Sequence, residues 1–465
     1  MGISSLGVGS SILTQDVLDQ LRKADEGQRI RPITFDLANE NDKKSALKVL
    51  DANMTNFRDA INEMKTATLY DERKTTVSGT AVEVTASANS DVQDFTLDVT
   101  KLAAKQIDES GTFDSDTAKI ANGDGAIEIA VGPEKFQIAY NADTTLKDLK
   151  KSINENTDGK LEATIVQTKT GEYKLFISST ETGKGKDISI TDNADADGDG
   201  DGDGANLKTT ALTDDLSQIQ PGADAEFKFN GQPLTRASNE FDDLISGYNI
   251  KFKEVGFSEV KVEQDRDEIM KRMDSFVNKY NEIITELEKQ TKSSTDSSER
   301  GIFSGNSTIK NMRGVIRDMI SSVSGGVGTM QDYGFEIDRE GKMSLDKSVV
   351  NKKLDDDPKN VEAFFSGGDF TTTSGTVQLN GAFSSFYDAV NTFTKANGNL
   401  DLVKDNINES ISSLEDRKES ATERLDAKYA IMKKQYAAYD LMISKMNSAS
   451  NMFSQMVNAQ NTANR

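Results

Sequence analysis

The feature that most constrains the fold is the stretch from Leu400 to Arg465, which contains neither glycine nor proline. Between Leu414 and Val457 its apolar residues recur every three or four positions. This spacing predicts one long helix, which at about 1.5 Å per residue extends on the order of 100 Å. Because the apolar stripe covers only one side, such a helix needs a partner helix to bury it.

Two further segments show the same helical spacing and are the expected partners. One runs from Ile33 to about Tyr70, and the other begins near Asp265, where the pattern returns from strand to helix. We expect their apolar faces to pack on the final helix as the core of a stalk. The predicted stalk core is Leu47, Leu50, Phe57, Ile61, Phe276, Tyr280, Ile284, Leu414 and Leu425.

Between the helical segments, apolar residues alternate with polar ones, which is typical of strands. The predicted fold class is therefore α+β multidomain, with terminal helices forming a coiled-coil-like stalk and two β-rich domains inserted between them. The predicted division comprises terminal leg segments, disordered or helical, at 1–40 and 436–465; a long-helix stalk domain at 41–75 and 265–435; a β-rich domain at 76–107 and 213–264; and a second, inserted β-rich domain at 108–212.

Two threonines are candidate N-caps and predict where two helices begin. Thr14 is a candidate N-cap for a helix that ends near Gly27 and Pro32. Thr144 is a candidate N-cap for a short helix that includes Leu146.

Composition excludes several classes of function. The chain of 465 residues has no cysteine and no histidine, which excludes disulfides, thiolate catalysis, imidazole metal ligands and a Ser-His-Asp triad. We expect neither an enzyme nor a bound cofactor. The net charge of −22 argues against nucleic acid or an anionic membrane as a partner. No apolar run is long enough to cross a membrane, and no conventional secretory signal is visible, so export would use another route.

One acidic segment resembles a calcium loop. Asp195, Asp197 and Asp199 fit the first positions of an EF-hand, and Gly200 fits the sixth. The twelfth position, where a bidentate glutamate belongs, is Asn206. We therefore interpret the segment as a mobile, self-repelling acidic loop and retain the three aspartates only as weak metal-site candidates.

Several motifs, in this order along the chain, resemble the flagellar filament capping proteins, also called hook-associated protein 2. They are residues 5–10 (SLGVGS), 97–106 (LDVTKLAAKQ), 276–284 (FVNKYNEII), 333–346 (YGFEIDREGKMSLD), 361–367 (VEAFFSG) and 435–447 (QYAAYDLMISKMN). The last is the most specific of the six. Residues 108–212 show the weakest resemblance.

The resemblance implies a structural cap at the distal tip of the bacterial flagellum. Such caps form a ring that helps flagellin subunits fold and insert, and they leave the cell unfolded through the flagellar secretion system. The implied partners are flagellin, hook-filament junction proteins, an export chaperone on the C-terminal helix and about five copies of the chain in a closed ring. A host glycan is a further implied partner, bound by the β domains.

Both termini have apolar residues that nothing in their own segments would cover. We expect the filament or sister subunits to bury them. The predicted interface residues are Leu6, Val8, Leu18, Leu21, Ile443, Met446, Phe453 and Met456.

Two alternative functions remain open at this stage. One is another flagellar axial component such as a junction protein, which would also have terminal helices and no cysteine. The other is a surface adhesin whose β domains bind host glycan. Polymerisation of the chain alone would indicate the first alternative, and glycan binding by isolated residues 76–264 would indicate the second.

Overall fold

The computed structural model describes residues 14–193, 206–321 and 326–463. The chain divides into two compact units. Residues 68–266 form one, here called the β unit, and residues 1–67 with 267–465 form the other, here called the helical unit. The predicted α+β class, with helical ends and strand-rich segments between them, is confirmed. The finer division into four domains stays a prediction.

The helices, numbered along the described chain, range from 4 to 65 residues in length. They are α1 (Gln15–Arg29), α2 (Arg31–Met64), α3 (Thr68–Asp71), α4 (Leu146–Asn156), α5 (Arg266–Thr291), α6 (Ser307–Ser321), α7 (Lys347–Asp356), α8 (Pro358–Ser366), α9 (Ala382–Thr394) and α10 (Asn399–Ala463). The strands of the β unit are β1 (Arg73–Val77), β2 (Val82–Ala86), β3 (Phe95–Lys101), β4 (Lys105–Glu109), β5 (Gly125–Val131), β6 (Glu134–Tyr140), β7 (Leu161–Lys169), β8 (Glu172–Thr182), β9 (Ile188–Asn193), β10 (Ser217–Gln220), β11 (Ala225–Phe229), β12 (Gln232–Arg236), β13 (Glu240–Phe241), β14 (Tyr248–Phe252) and β15 (Gly256–Gln264). The helical unit adds β16 (Phe335–Ile337), β17 (Met343–Leu345), β18 (Gly368–Thr372) and β19 (Gly375–Leu379).

The first helix begins and ends where the sequence predicts. The Thr14 side-chain oxygen accepts a hydrogen bond from the Val17 backbone N–H, as an N-cap does. Pro32 lies in the first turn of α2, where the backbone N–H groups have no helical partner and proline is tolerated. The second helical run is shorter than expected, because α2 ends at Met64 and the separate turn α3 follows.

The predicted cap of α4 is wrong by one residue. Thr145 is the N-cap, and it exchanges hydrogen bonds with Asp148 in a capping box. The Thr144 hydroxyl instead accepts a hydrogen bond from the Asn141 backbone N–H, 2.8 Å away, and so belongs to the preceding turn. Two adjacent threonines offer the same chemistry, and the acidic residue three positions later selects the second.

The β unit contains two blocks of antiparallel sheet, each with its own apolar core. In the first β block, the sheets β1-β15-β3-β11-β12 and β13-β14-β2 enclose a core that includes Leu97, Val99 and Phe227. In the inserted β block, residues 105–220, the sheets β10-β4-β8-β7 and β6-β5-β9 pack with α4 around Ile127, Leu149 and a larger apolar cluster. The first and last strands of the unit, β1 and β15, pair with each other, so this unit starts and finishes at neighbouring positions.

Asparagine side chains bind the backbone next to several strands in one recurrent arrangement. Each carboxamide donates to the C=O and accepts from the N–H of a single residue. The pairs are Asn154 with Ala163, Asn239 with Ala103, Asn281 with Met343 and Asn360 with Thr371. A primary amide has the donor and acceptor needed to replace a neighbouring strand locally, so these bonds satisfy backbone groups at strand edges.

No described helix is both long and apolar enough to cross a membrane. The longest, α10, is broken by no proline and follows directly after Gly398. This agrees with the long glycine- and proline-free run that predicts it.

Candidate functional site

The residues predicted as stalk core are all buried in the described structure. Leu50, Phe57, Ile61, Phe276 and Tyr280 have essentially no solvent exposure. The remaining four, Leu47, Ile284, Leu414 and Leu425, are also buried. The helices α2 and α5 meet through their rings, since the centroid of Phe57 lies 5.6 Å from that of Phe276 and 6.0 Å from that of Tyr280.

This core extends into aromatic residues that the sequence analysis did not select. The ring of Phe276 lies 4.9 Å from that of Phe383 on α9 and 5.9 Å from that of Phe335 on β16. Further along, Tyr333 stacks on Phe364. The signal available in the sequence was the density of aromatic residues between 333 and 393, but helical periodicity alone does not reveal it.

Leu425 packs outside the cluster around Phe57 and Phe276 that the sequence predicts as its place. It forms a separate small cluster with Tyr429 and with Leu18 of α1. Leu18 was predicted to be an interface residue, but its side chain is buried within its own chain. The prediction for Leu18 is therefore wrong. Because α1 lies along α10, Leu18 packs on Leu425 and Tyr429 of the same chain without a second subunit.

Ion pairs join the same two helices. Arg22 pairs with Asp426, and Asp25 pairs with Lys428 while also accepting a hydrogen bond from the Tyr429 hydroxyl at 3.0 Å. The hydrogen bonds from Lys428 and Tyr429 hold the pKa of the Asp25 carboxyl below its ordinary value. The charged side chains of Arg22, Asp426 and Lys428 are 40–53% exposed, so solvent weakens the attraction in both pairs and Leu18 is the main source of apolar attachment.

Beyond Tyr436, most apolar residues of α10 face solvent. Tyr439, Leu441, Met442, Met446, Met452, Phe453, Met456 and Val457 are between 42% and 67% exposed. The predicted interface residues Met446, Phe453 and Met456 belong to this group, and Ile443 is half-buried. Leu21 on α1 is 41% exposed. We call residues 439–457 of α10 the distal face.

The distal face has the composition and spacing of a helix-binding surface. Met442, Met446, Phe453 and Met456 recur at intervals of four, seven and three, which places them on one side of the helix. Methionine side chains are flexible and adapt to differently shaped partners. Large apolar side chains exposed along one helical stripe usually mark a surface that another molecule covers.

Some predicted residues lie outside the described part of the chain. These are the interface candidates Leu6 and Val8 and the metal candidates Asp195, Asp197 and Asp199. Asn206, at the end of the acidic segment, donates its side-chain amide to the Asp124 carbonyl, 2.8 Å away. Among the described residues there is no cluster of three acidic side chains arranged for a metal ion.

Comparison with known proteins identifies similar chains. The profile of the flagellar hook-associated protein 2 N-terminus matches residues 10–106, and that of its C-terminus matches residues 222–448. Together the two matches cover more than half of the chain. The flagellar hook-associated protein 2 of Aeromonas caviae is 26% identical, over 97% of this chain and 97% of that protein.

Coverage of another relative is less complete. The flagellar hook-associated protein 2 of Campylobacter jejuni is 26% identical over 78% of this chain, but the alignment spans only 64% of that protein. Among solved structures, the D1-D2-D3 domains of the flagellar cap protein from Escherichia coli superpose with a TM-score of 0.62. That likeness covers 78% of this chain and 99% of the other at 22% sequence identity, so it shows a shared fold.

Proposed function

Because the chain belongs to the flagellar hook-associated protein 2 family, we propose that it is a structural cap at the distal tip of the bacterial flagellar filament. In this function a ring of copies holds the tip and promotes the folding and insertion of flagellin subunits. The chemistry is that of reversible packing between protein surfaces and requires no catalytic group or cofactor.

The observation that supports this proposal is the distal face of α10. It is a helix with large apolar side chains in water, and a stripe of this kind is stable only when another surface covers it in the assembled state. A cap must bind the tip firmly yet yield as each subunit enters. Contacts made by methionine and other flexible apolar side chains suit that requirement, because they can repack without a fixed geometry.

The partners follow from this position. We expect flagellin and the hook-filament junction proteins as partners, and copies of the chain complete a closed ring of about five. An export chaperone would bind the distal face before secretion, as grooves commonly bind amphipathic helices. The route out of the cell is the flagellar secretion channel. Nothing in the described residues favours the adhesin or the junction protein over the cap.

Deletion of the gene is the test of the proposed function. We expect cells without it to lose motility and filaments while flagellin accumulates in the medium as monomer. Restored swimming on expression of the intact chain would tie the defect to this protein. Cells that keep normal filaments after deletion would contradict the proposal.

A paired complementation experiment tests the role of the distal face. Met446→Asp with Phe453→Asp places two charges on the apolar stripe, and we expect it to abolish swimming. The matched control, Ser448→Asp with Gln455→Asp, places the same charges at the same spacing on exposed polar positions of α10. Equal swimming of the two variants would show that the distal face is not the contact surface.

A further inference from the structure

Backbone contacts hold the two β blocks together at a narrow joint. Ala104 and Ala223 form an isolated antiparallel bridge where the chain passes from one block to the other. The Ala104 N–H donates to the Ala223 carbonyl at 2.8 Å. Beside it, the Lys184 backbone N–H of the inserted block donates to Asp224 Oδ1 of the first block at 2.7 Å. We call this set of contacts the joint.

Glycine allows the backbones at the joint to approach closely. Gly183 has a φ of +111°, and a Cβ at that position would lie 2.8 Å from the Ala237 Cβ. A Cβ on Gly222 would lie 2.5 Å from the Gly183 carbonyl oxygen and 3.7 Å from the Cβ of Gln106. The side chain of Gln106 therefore begins directly behind the tightest part of the joint.

Two polar side chains are buried at this place. Gln106 and Asp108 lie two residues apart on β4, so both point to the same face, and each is only 2% exposed. The Gln106 Nε2 donates to Asp108 Oδ2 at 3.0 Å. The other oxygen of each group, Oε1 of Gln106 and Oδ1 of Asp108, has no hydrogen-bond partner among the described residues. A buried acceptor without a donor is costly, and here two occur side by side.

The charged groups described around Asp108 do not offset the cost of burying its negative charge. Asp187, before β9, is a like charge whose field acts on it. On β8, Lys174 pairs with Glu109 on the opposite face of β4, and Glu181 pairs with lysines of its own. The adjacent strand β10 has no charged residue. Burial raises the pKa of the Asp108 carboxyl, the hydrogen bond from Gln106 lowers it, and the charge of Asp187 raises it, so that the net shift is upward.

We propose that Asp108 binds a proton in the folded protein and that the neutral carboxyl pairs with the Gln106 amide through two hydrogen bonds. The proton, taken from solvent, resides on Oδ1 and donates to Oε1 of Gln106, while Nε2 donates to Oδ2. One proton thus satisfies both unpartnered oxygens. A neutral acid–amide pair can be buried beside the joint, whereas an ionised carboxylate there would draw in water and loosen it.

The direction of the pH effect follows from linkage. A carboxyl whose pKa is higher in the folded state than in the unfolded state contributes stability that is fully present below the unfolded value of about 3.9. That contribution is lost as the pH rises through the folded pKa. The joint should therefore be tightest below the unfolded pKa and weaken as the pH rises through the folded pKa.

The test compares Asp108→Asn with wild type in the full-length chain. An asparagine amide can donate to Oε1 and accept from Nε2, so it reproduces the neutral pair at every pH. We expect the acid-favouring part of the pH dependence of urea unfolding to be lost in this variant. Above the folded pKa of Asp108, the Lys184 and Ala104 amides should exchange hydrogen more slowly in the variant than in wild type. The control, Asp114→Asn, changes an exposed aspartate of the inserted β block and should behave as wild type.

A spectroscopic measurement on the wild-type protein tests the protonation of Asp108 without depending on the folding of the variant. With the aspartate carboxyl carbons of wild type labelled with ¹³C, the Asp108 resonance should titrate at a higher pH than that of an ordinary aspartate. An ionised Asp108 bridged to Gln106 by water would give no such resonance and would overturn the proposal. So would an Asp108→Asn variant whose unfolding retains the wild-type pH dependence.

Discussion

At the residue scale, Phe57 joins helices that are far apart in the chain. Its ring has no solvent exposure and lies against those of Phe276 and Tyr280. Two positions later, Asp59 has a side chain that is 60% exposed and pairs with its neighbour Arg58. The two positions therefore offer a matched comparison of the inner and outer faces of α2.

Phe57→Ala should lower the free energy of unfolding of the helical unit by about 3–5 kcal/mol, because it removes a buried ring and leaves a cavity. Asp59→Ala should change it by less than about 0.5 kcal/mol, as exposed substitutions usually do. Chemical denaturation followed by far-UV circular dichroism measures both. Similar losses from the two variants would mean that α2 presents a different face to the core.

The hydroxyl of Tyr280 is a polar group inside an otherwise apolar core. Its hydroxyl is fully buried and has no hydrogen-bond partner among the described residues. Burial raises the pKa of the phenol to about 12, so it stays neutral. We expect Tyr280→Phe to leave the unfolding free energy unchanged or to raise it by about 1–2 kcal/mol, since an unsatisfied buried hydroxyl is removed without loss of ring packing. A clear loss of stability in the same denaturation assay would reveal an internal partner for this hydroxyl.

At the element scale, α1 is attached to α10 through few groups. Leu18 is its buried residue, and the side chains of the accompanying ion pairs are between 22% and 53% exposed. Elements held by little buried apolar area open locally at a lower free energy than the whole fold. The attachment of α1 should consequently respond to substitutions that leave the stalk core unchanged.

Leu18→Ala should increase the rate of hydrogen exchange in residues 15–29 by well over tenfold without altering exchange around Phe57. The expected loss is about 2–3 kcal/mol of local stability. Hydrogen exchange with mass-spectrometric detection of peptides measures this. The control is Leu21→Ala, the same substitution at an exposed position one turn along. Equal acceleration by the two would contradict the packing assigned to Leu18.

At the scale of the whole molecule, folding and proposed function depend on different parts of one helix. The first part of α10 contributes buried residues such as Leu400, Ile407 and Leu425, whereas the distal face contributes little to the cores within this chain. A single element can therefore stabilise the fold at one end and present a binding surface at the other.

Truncation after Tyr439 should leave the remaining structure folded and soluble while it abolishes filament growth. The reason is that the deleted residues are mostly exposed, so their removal exposes little new apolar surface. Thermal unfolding of the purified protein and a swimming assay in the deletion strain measure the two effects. A truncated chain that restores swimming would move the proposed contact surface to the β unit.

Much of the architecture could be predicted because helical and strand periodicities are local properties. The long helix α10, the cap at Thr14 and the strands between the helical segments follow from residue spacing and from the chemistry of single side chains. The error at Thr144 shows the limit of this reasoning, since two neighbouring threonines both meet the criterion for a cap.

Residue spacing by itself determined which faces of the helices are apolar, because spacing decides on which side of a helix a residue lies. Only the tertiary structure decided what covers each face. Leu18 and Met446 have similar signals in the sequence, yet one is buried by α10 and the other faces solvent. The same holds for Asp108, whose burial depends on strands that are distant in sequence. Burial is a property of long-range packing, and no local pattern contains that information.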